Sequence, residues 1–236
     1  MYRSLDPRSI VDAAGVLTRR IGERFPDSGL QDASEELVRV AGEVQQRSAA
    51  IARPNLPLRL AIGVLGFLLV GALAAAVTSS HVPSTAFALP VLIQITEGGI
   101  NVMLLFGGAA LFLFGTERRL QRRRALSAIH ELRALAHVVD MRQLTKDPQR
   151  VLDANFVATA SSPARAMSAF EISRYLDYCS EIFALIGKLA AVYARDFEDA
   201  PAIAAAGDVE ALTTGLSRKV WQKLMILRFG PGRPAS

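Results

Sequence analysis

Residues 111–127 have the sequence LFLFGTERRLQRRRALS, and the character of the chain changes abruptly within them. The nineteen residues before Glu117, from 98 to 116, carry no formal charge, whereas five of the seven residues after it are arginines. A hydrocarbon interior excludes charge, and an anionic headgroup layer attracts cations. The stretch therefore predicts the place where a helix leaves a lipid bilayer.

A second uncharged stretch lies earlier in the chain. Residues 60–77, LAIGVLGFLLVGALAAAV, are all apolar or glycine. Between residues 60 and 116 there is no Lys or Arg, although the chain holds 27, and the only acid is Glu97. At about 1.5 Å per residue, each stretch matches a hydrocarbon layer of about 30 Å. We expect a transmembrane hairpin, residues 56–117, with crossings at about 60–80 and 96–116.

The distribution of positive charge predicts the orientation of this hairpin. Arg53 and Arg59 precede the first crossing, arginines follow the second, and the connection 78–96 contains neither Lys nor Arg. Cytoplasmic segments beside membrane helices are enriched in Lys and Arg. We therefore expect a multi-pass protein of the cell inner membrane with both termini in the cytoplasm. No secretory signal is expected, because the first long apolar run begins at Leu60.

The excess positive charge lies after the apolar block. The chain carries a net charge of +5, and residues 118–236 hold eighteen Lys and Arg against twelve acids. Because this charge is densest beside the membrane, the expected partner is an anionic inner leaflet rather than nucleic acid. The residues predicted to bind lipid are Arg118, Arg119, Arg122, Arg123 and Arg124.

The parts outside the membrane predict helices only, so the expected fold is all-α, a two-helix transmembrane hairpin with an antiparallel cytoplasmic bundle. Residues 1–55 form an N-terminal helical region, 118–229 a C-terminal bundle, and 230–236 a disordered tail. Asp6 with Pro7 is expected to start the first helix, and Ser28 with Gln31 the second. Asp208 is expected to cap the last helix.

The most regular helix is predicted after Ser168, which forms a capping-box pattern with Glu171. Its apolar positions from Ile172 to Phe197 are spaced alternately four and three residues apart, as in a helix packed lengthwise on another helix. We expect five of these side chains to contact a partner or a second copy: Ile172, Leu176, Phe183, Ile186 and Tyr193.

The chain offers little pattern for catalysis. Glycine-rich phosphate-binding loops are absent from the sequence, and His130 and His137 are seven residues apart where a helical pair of metal ligands needs four. We expect no cofactor, no metal site and no enzymatic activity. Cys179 falls on the apolar seam, which predicts a buried thiol rather than a nucleophile.

Glu97 and Asn101, four residues apart, leave two alternatives open. They share a helix face that could line a pore or make polar contacts between helices. Alternatively, Glu97 lies in the outer interface with Asn101 just below it. Residues 87–96 are equally open, because they either lie in that interface or extend the second crossing outward from Pro90.

Together these patterns predict a non-enzymatic membrane protein that acts as a scaffold, sensor or accessory subunit of a membrane complex. We expect it to form a homo-oligomer or to bind another membrane protein. The alternative function is a homo-oligomeric channel or transport component with Glu97 and Asn101 facing the pore.

Overall fold

A computed structural model describes residues 6–52, 56–79, 89–153, 157, 159–162, 167–197 and 199–229, and these are helical without strands. The prediction of an all-α chain is confirmed at this level. The tail 230–236 lies outside the described residues. Helices α1 to α7 are Pro7–Arg24, Gly29–Ala52, Leu56–Ser79, Leu89–Leu144, Gln149–Leu152, Ala169–Asp196 and Ala200–Phe229.

The chain divides into two compact units. We call residues 53–123 the apolar unit, and Met1–Ala52 together with Arg124–Ser236 the bundle unit. By length and composition, one helical stretch of the described residues is apolar enough to span a membrane; it begins at Thr96, and its most apolar window is unburied. The apolar stretch Arg59–Gly71 of α3 falls short of that length in the same residues.

The second apolar stretch and the arginines after it belong to a single helix. α4 runs for 56 residues, from Leu89 to Leu144. Pro90 lies in its first turn, where the missing N–H removes no helical hydrogen bond. Of the two alternatives for residues 87–96, the described part, from Leu89 onward, is helix continuous with the second apolar stretch.

The N-terminal helices begin where their caps were predicted. The Asp6 side chain accepts a hydrogen bond from the Arg8 N–H, and Pro7 is the first residue of α1. The Ser28 hydroxyl accepts one from the Gln31 N–H at 3.2 Å, just before α2. Such caps satisfy backbone donors that the first helical turn leaves unpaired. α1 and α2 pack on each other, and both pack on α6.

The last two helices contact each other most extensively. Ser168 and Glu171 form the predicted capping box of α6. The prediction that Asp208 caps the last helix is wrong, because α7 runs unbroken from Ala200 through that residue. A single glycine, Gly207, lowers helix preference by only about 1 kcal/mol, which packing of the surrounding turns offsets.

The bundle unit has one hydrophobic core, to which α1, α2, α4, α6 and α7 all contribute. α4 supplies a stripe with spacing four and three, fully buried along one side of the helix: Ala125, Ile129, Leu132, Ala136 and Val139. Glu131 lies at the flank of this stripe. Its carboxylate pairs with Arg39 at 3.0 Å and with Arg47, both on α2. Water screens these half-exposed pairs, so they align α2 with α4 more than they stabilise the unit.

Gly187 allows α6 and α7 to approach closely. A Cβ atom at this position would lie 3.1 Å from the Thr213 hydroxyl oxygen, closer than ordinary van der Waals contact. Thr213 is itself buried, and its hydroxyl donates to the Glu210 carbonyl at 3.1 Å. The hydroxyl is therefore held on the side of α7 that faces Gly187, and a larger residue there would push the helices apart.

We predict that Gly187→Val lowers the free energy of unfolding by about 1–3 kcal/mol, the usual effect of overpacking. The matched control is Gly215→Val on α7, where an added Cβ meets no atom within 4 Å. It should change stability by less than about 0.5 kcal/mol. Thermal unfolding in one mild detergent measures both, and equal midpoints would contradict the close contact.

Candidate functional site

The arginines predicted to bind lipid form a polybasic segment of α4. Four of the five are exposed and one is half-buried; in chain order they are Arg118, Arg119, Arg122 (half-buried), Arg123 and Arg124. Exposed guanidinium groups can reach anionic headgroups, each worth about 1 kcal/mol near an anionic leaflet. The segment ends one unit and begins the next, because the boundary between the units lies between its last two arginines.

An ion pair joins α3 and α4 where their apolar stretches end. Arg59 Nε lies 3.6 Å from Glu117 Oε1, and the Glu117 side chain is only 7 % exposed. A carboxylate removed from water remains charged only when a cation compensates it. The sequence pattern predicted Glu117 at the membrane edge but did not predict this pairing. The signal was available, since each apolar stretch ends beside one of the two residues.

An apolar groove of about 600 Å³ lies between α3 and α4 within the apolar unit. On the α3 side its wall includes Ile62, Gly66 and Leu69, spaced four and three residues apart. On the α4 side it includes Phe106 and Gly107. None of the described residues that line it carries a charge or a polar side chain. The glycines leave a trough where larger side chains would fill the space.

Glu97 and Asn101 are both exposed on α4. Residues four apart share one helix face, so the two side chains lie on the same side of α4. Neither lines the groove between α3 and α4. Among the described residues neither side chain has a hydrogen-bond or ion-pair partner.

The structure corrects the expected role of the heptad seam of α6. Five side chains named for partner contact are at most 4 % exposed and belong to the core of the same chain: Ile172, Leu176, Phe183, Ile186 and Tyr193. A second copy could reach them only if the bundle opened. The heptad spacing therefore serves packing within the chain, because α1, α2 and α7 all lie against α6.

Cys179 is completely buried on this seam, as predicted. Burial raises the pKa of its thiol to about 12, which opposes formation of the reactive thiolate. His130 and His137 are both exposed. Within the described residues no group of three or more His, Cys, Asp and Glu side chains could hold a metal ion.

A polar cluster inside the bundle was not predicted from the sequence. Lys223 Nζ donates to the backbone carbonyl of Gln143 at 2.8 Å and to its Oε1 at 2.7 Å. The Gln143 amide in turn donates to Asp140 Oδ1 at 2.7 Å. Gln143 is 1 % exposed. Gln143 continues the apolar stripe of α4 four residues after Val139. A polar residue at this core position was the sequence feature from which the cluster could have been predicted.

A second unpredicted cluster stacks arginines on an aromatic ring. The guanidinium carbons of Arg20 and Arg174 lie 5.3 and 5.1 Å from the centre of the Tyr178 ring. Burial tends to raise the pKa of Tyr178, but hydrogen bonds from Arg174 and Arg24 outweigh it and the net shift is downward. Two of these arginines already pair with acids at 3.0 and 3.1 Å. The cluster therefore ties α1 to α6 by cation–π contact and ion pairs.

The comparisons with known proteins give no family or neighbour. No family model, no curated protein and no solved structure matches this chain.

We predict that Lys223→Met lowers the free energy of unfolding by about 1–3 kcal/mol, because it leaves the buried side-chain oxygen of Gln143 without its donor, whereas the backbone carbonyl keeps the Lys146 N–H. Lys219→Met, one turn earlier and exposed, is the matched control and should change stability by less than about 0.5 kcal/mol. Thermal unfolding of both variants in the same detergent measures the difference. Similar midpoints would show that the Lys223 hydrogen bonds do not contribute.

The same lysine predicts a pH dependence. Burial lowers the pKa of Lys223 below its ordinary value of 10.5. The unfolded chain therefore binds more protons between the two values, and stability from this group rises as pH increases through that window. The stability of the native protein relative to Lys223→Met should increase toward pH 10.5. A constant difference from pH 8 to pH 10.5 would contradict the direction of the shift.

Proposed function

We propose that this chain is an integral inner-membrane protein with two transmembrane helices, α3 and the first part of α4, and both termini in the cytoplasm. One observation carries the proposal. Among the residues that the structure describes between Leu60 and Phe112, twelve large apolar side chains are 53–79 % exposed. Burying such a side chain is worth about 1.5–3 kcal/mol, so together they would lose on the order of 10–20 kcal/mol in water.

That loss equals or exceeds the whole stability of a typical domain, about 5–15 kcal/mol. A bilayer removes it, since every one of these side chains can then contact hydrocarbon. At 100° per residue, the exposed apolar residues span about 160° of α3 and about 200° of α4, wider than the apolar stripe of about 100° by which a surface helix packs on a soluble core. Surrounding lipid is therefore a better environment for both helices than a single docking partner.

The proposed orientation follows from the arginines at one end of the apolar unit. Arg59 precedes the apolar part of α3 and Arg118 follows that of α4, so both sit at the same side in a hairpin. Positive charge is retained in the cytoplasm. The bundle unit, which we propose to be antiparallel, would then lie wholly on the cytoplasmic side.

Within this architecture we propose a non-enzymatic role as a scaffold, sensor or accessory subunit of a membrane complex. α4 supports a sensor in particular, because one unbroken helix supplies residues to both units. A continuous hydrogen-bonded rod passes an axial or rotational displacement along its length without needing a hinge. The partner is a second copy or another membrane protein.

Two measurements on the full-length chain test the membrane proposal. After extraction with alkaline carbonate, the protein should remain in the membrane pellet. A reporter that is active only outside the cytoplasm should be active when inserted between residues 80 and 88, and inactive when fused after Ser236. Release into the supernatant, or an inactive reporter at 80–88 in a stably expressed fusion, would overturn the proposal.

The channel alternative keeps one specific support, the exposed pair Glu97 and Asn101 on an otherwise apolar part of α4. Polar side chains facing lipid are unfavourable, so they favour contact with another subunit or with water. Ion flux into vesicles containing purified protein decides between the two. A channel predicts flux that Glu97→Gln and Asn101→Leu reduce; the scaffold predicts none above protein-free vesicles.

A further inference from the structure

The groove between α3 and α4 ends at positive charge. Ile62, Gly66 and Leu69 line it on α3, and Arg59 lies three residues before Ile62 on the same helix face. On α4 the lining ends at Ala110, and Glu117 lies two turns further along that face. The ion pair between Arg59 and Glu117 therefore closes one end of the groove.

Positive charge exceeds negative charge at that end. Glu117 carries a single negative charge, whereas several arginines lie in this part of the apolar unit, and Arg59 itself is 57 % exposed. Arg118 is exposed and lies eight residues after Ala110, about 80° from the groove line and about 12 Å further along the axis. A bilayer about 40–45 Å thick has a hydrocarbon core of about 30 Å, so the headgroup layer extends about 5–8 Å beyond each edge of the core. Arg118 follows the last uncharged residue, Thr116, by about 3 Å along the helix axis and therefore falls within the headgroup layer.

We propose that this groove binds one acyl chain of an anionic phospholipid, whose phosphate is held by Arg59 and Arg118. The inference rests on the proposed membrane location and adds a specific ligand to it. The groove supplies a wholly apolar wall for the chain, and the arginines supply charge-assisted hydrogen bonds to phosphate oxygens.

Charge decides between a lipid and a second copy of the chain as the occupant. A second copy in the same orientation would bring its own Arg59 and Arg118 to the arginine end, where like charges repel. A phospholipid brings a hydrocarbon chain to the groove and a negative group to the arginines. The anionic lipid is therefore complementary at both ends of the site.

Adjacent glycines provide a matched pair of variants for the chain-binding part. Gly107 lines the groove, and Gly108 does not. An added Cβ meets no atom within 4 Å at either position, so neither leucine side chain starts against protein. Gly107→Leu fills the groove, whereas Gly108→Leu projects to another side of the same helix and preserves the added volume and apolarity.

Adjacent arginines provide the second pair. Arg118 lies within about a quarter turn of the groove line, and Arg119, nine residues after Ala110, lies about 180° from it. Arg118→Gln removes the proposed phosphate contact. Arg119→Gln removes the same charge from the opposite side of α4, so it controls for the general attraction of the polybasic segment to lipid.

The experiment is native mass spectrometry of the delipidated, full-length protein in mild detergent. The probes are phosphatidylglycerol and phosphatidylethanolamine with identical acyl chains. We expect one tightly retained phosphatidylglycerol. Gly107→Leu, by displacing about two methylenes of the chain, should weaken retention about tenfold, whereas Gly108→Leu should leave it unchanged. Arg118→Gln should bring phosphatidylglycerol toward the level of phosphatidylethanolamine, whereas Arg119→Gln should lower only the weaker retention of additional phosphatidylglycerol and leave the one tightly bound lipid in place.

Three results would overturn the site: equal retention of the two lipids, equal loss in Gly107→Leu and Gly108→Leu, or a change of oligomeric mass in Gly107→Leu alone, which would assign the groove to a second copy. Carbonate extraction of the same variants separates the two proposals. Protein that stays in the pellet without selective lipid retention defeats this site only, whereas protein released to the supernatant defeats the membrane location itself.

Discussion

The structure depends on one constraint: apolar surface must leave water, and the two units of this chain have different means of achieving it. In the bundle unit, side chains such as Leu132 and Phe183 bury one another completely. In the apolar unit, Phe67 and Met103 remain more than 75 % exposed within the chain itself. Internal packing therefore accounts for the first unit, whereas the second leaves its apolar surface uncovered within the chain, which is the basis of the proposed membrane location.

The same exclusion of water requires that polar groups buried in either unit have partners. The buried carboxylate of Glu117 pairs with Arg59, and the buried Gln143 bonds to Lys223 and Asp140. The more exposed pairs of Glu131 with α2 lie in water and contribute alignment rather than stability. The polar contacts that matter most are thus those in which a buried group would otherwise be left without a partner.

Most helices could be predicted from the sequence because their caps and apolar periods are local features. The caps at Asp6 and Ser168 are as predicted, since a cap involves residues at most three apart. The prediction that Asp208 caps the last helix was wrong, because Asp is tolerated inside α7, where tertiary packing outweighs the local helix preference. The seam of α6 was recognised, but periodicity cannot tell whether the covering helix belongs to the same chain. The structure shows that it does.

The candidate sites show the same division between local and long-range information. The polybasic segment is contiguous and was evident in the sequence. The groove and the pairing of Lys223 with Gln143 join residues far apart in the chain, so they depend on which helix faces lie against each other. Single-sequence periodicity leaves that choice open, although the polar Gln143 on an apolar stripe was a visible anomaly.

The apolar stripe of α4 within the bundle unit fixes the number of residues along it. A helix turns about 100° per residue, so inserting one residue between Ala125 and Ile129 would leave only one of the two on the core face. Inserting seven would return both to within about 20° of one face. In evolution this part of α4 should therefore tolerate changes among its exposed residues far more readily than changes of length, with heptad-sized indels as the exception.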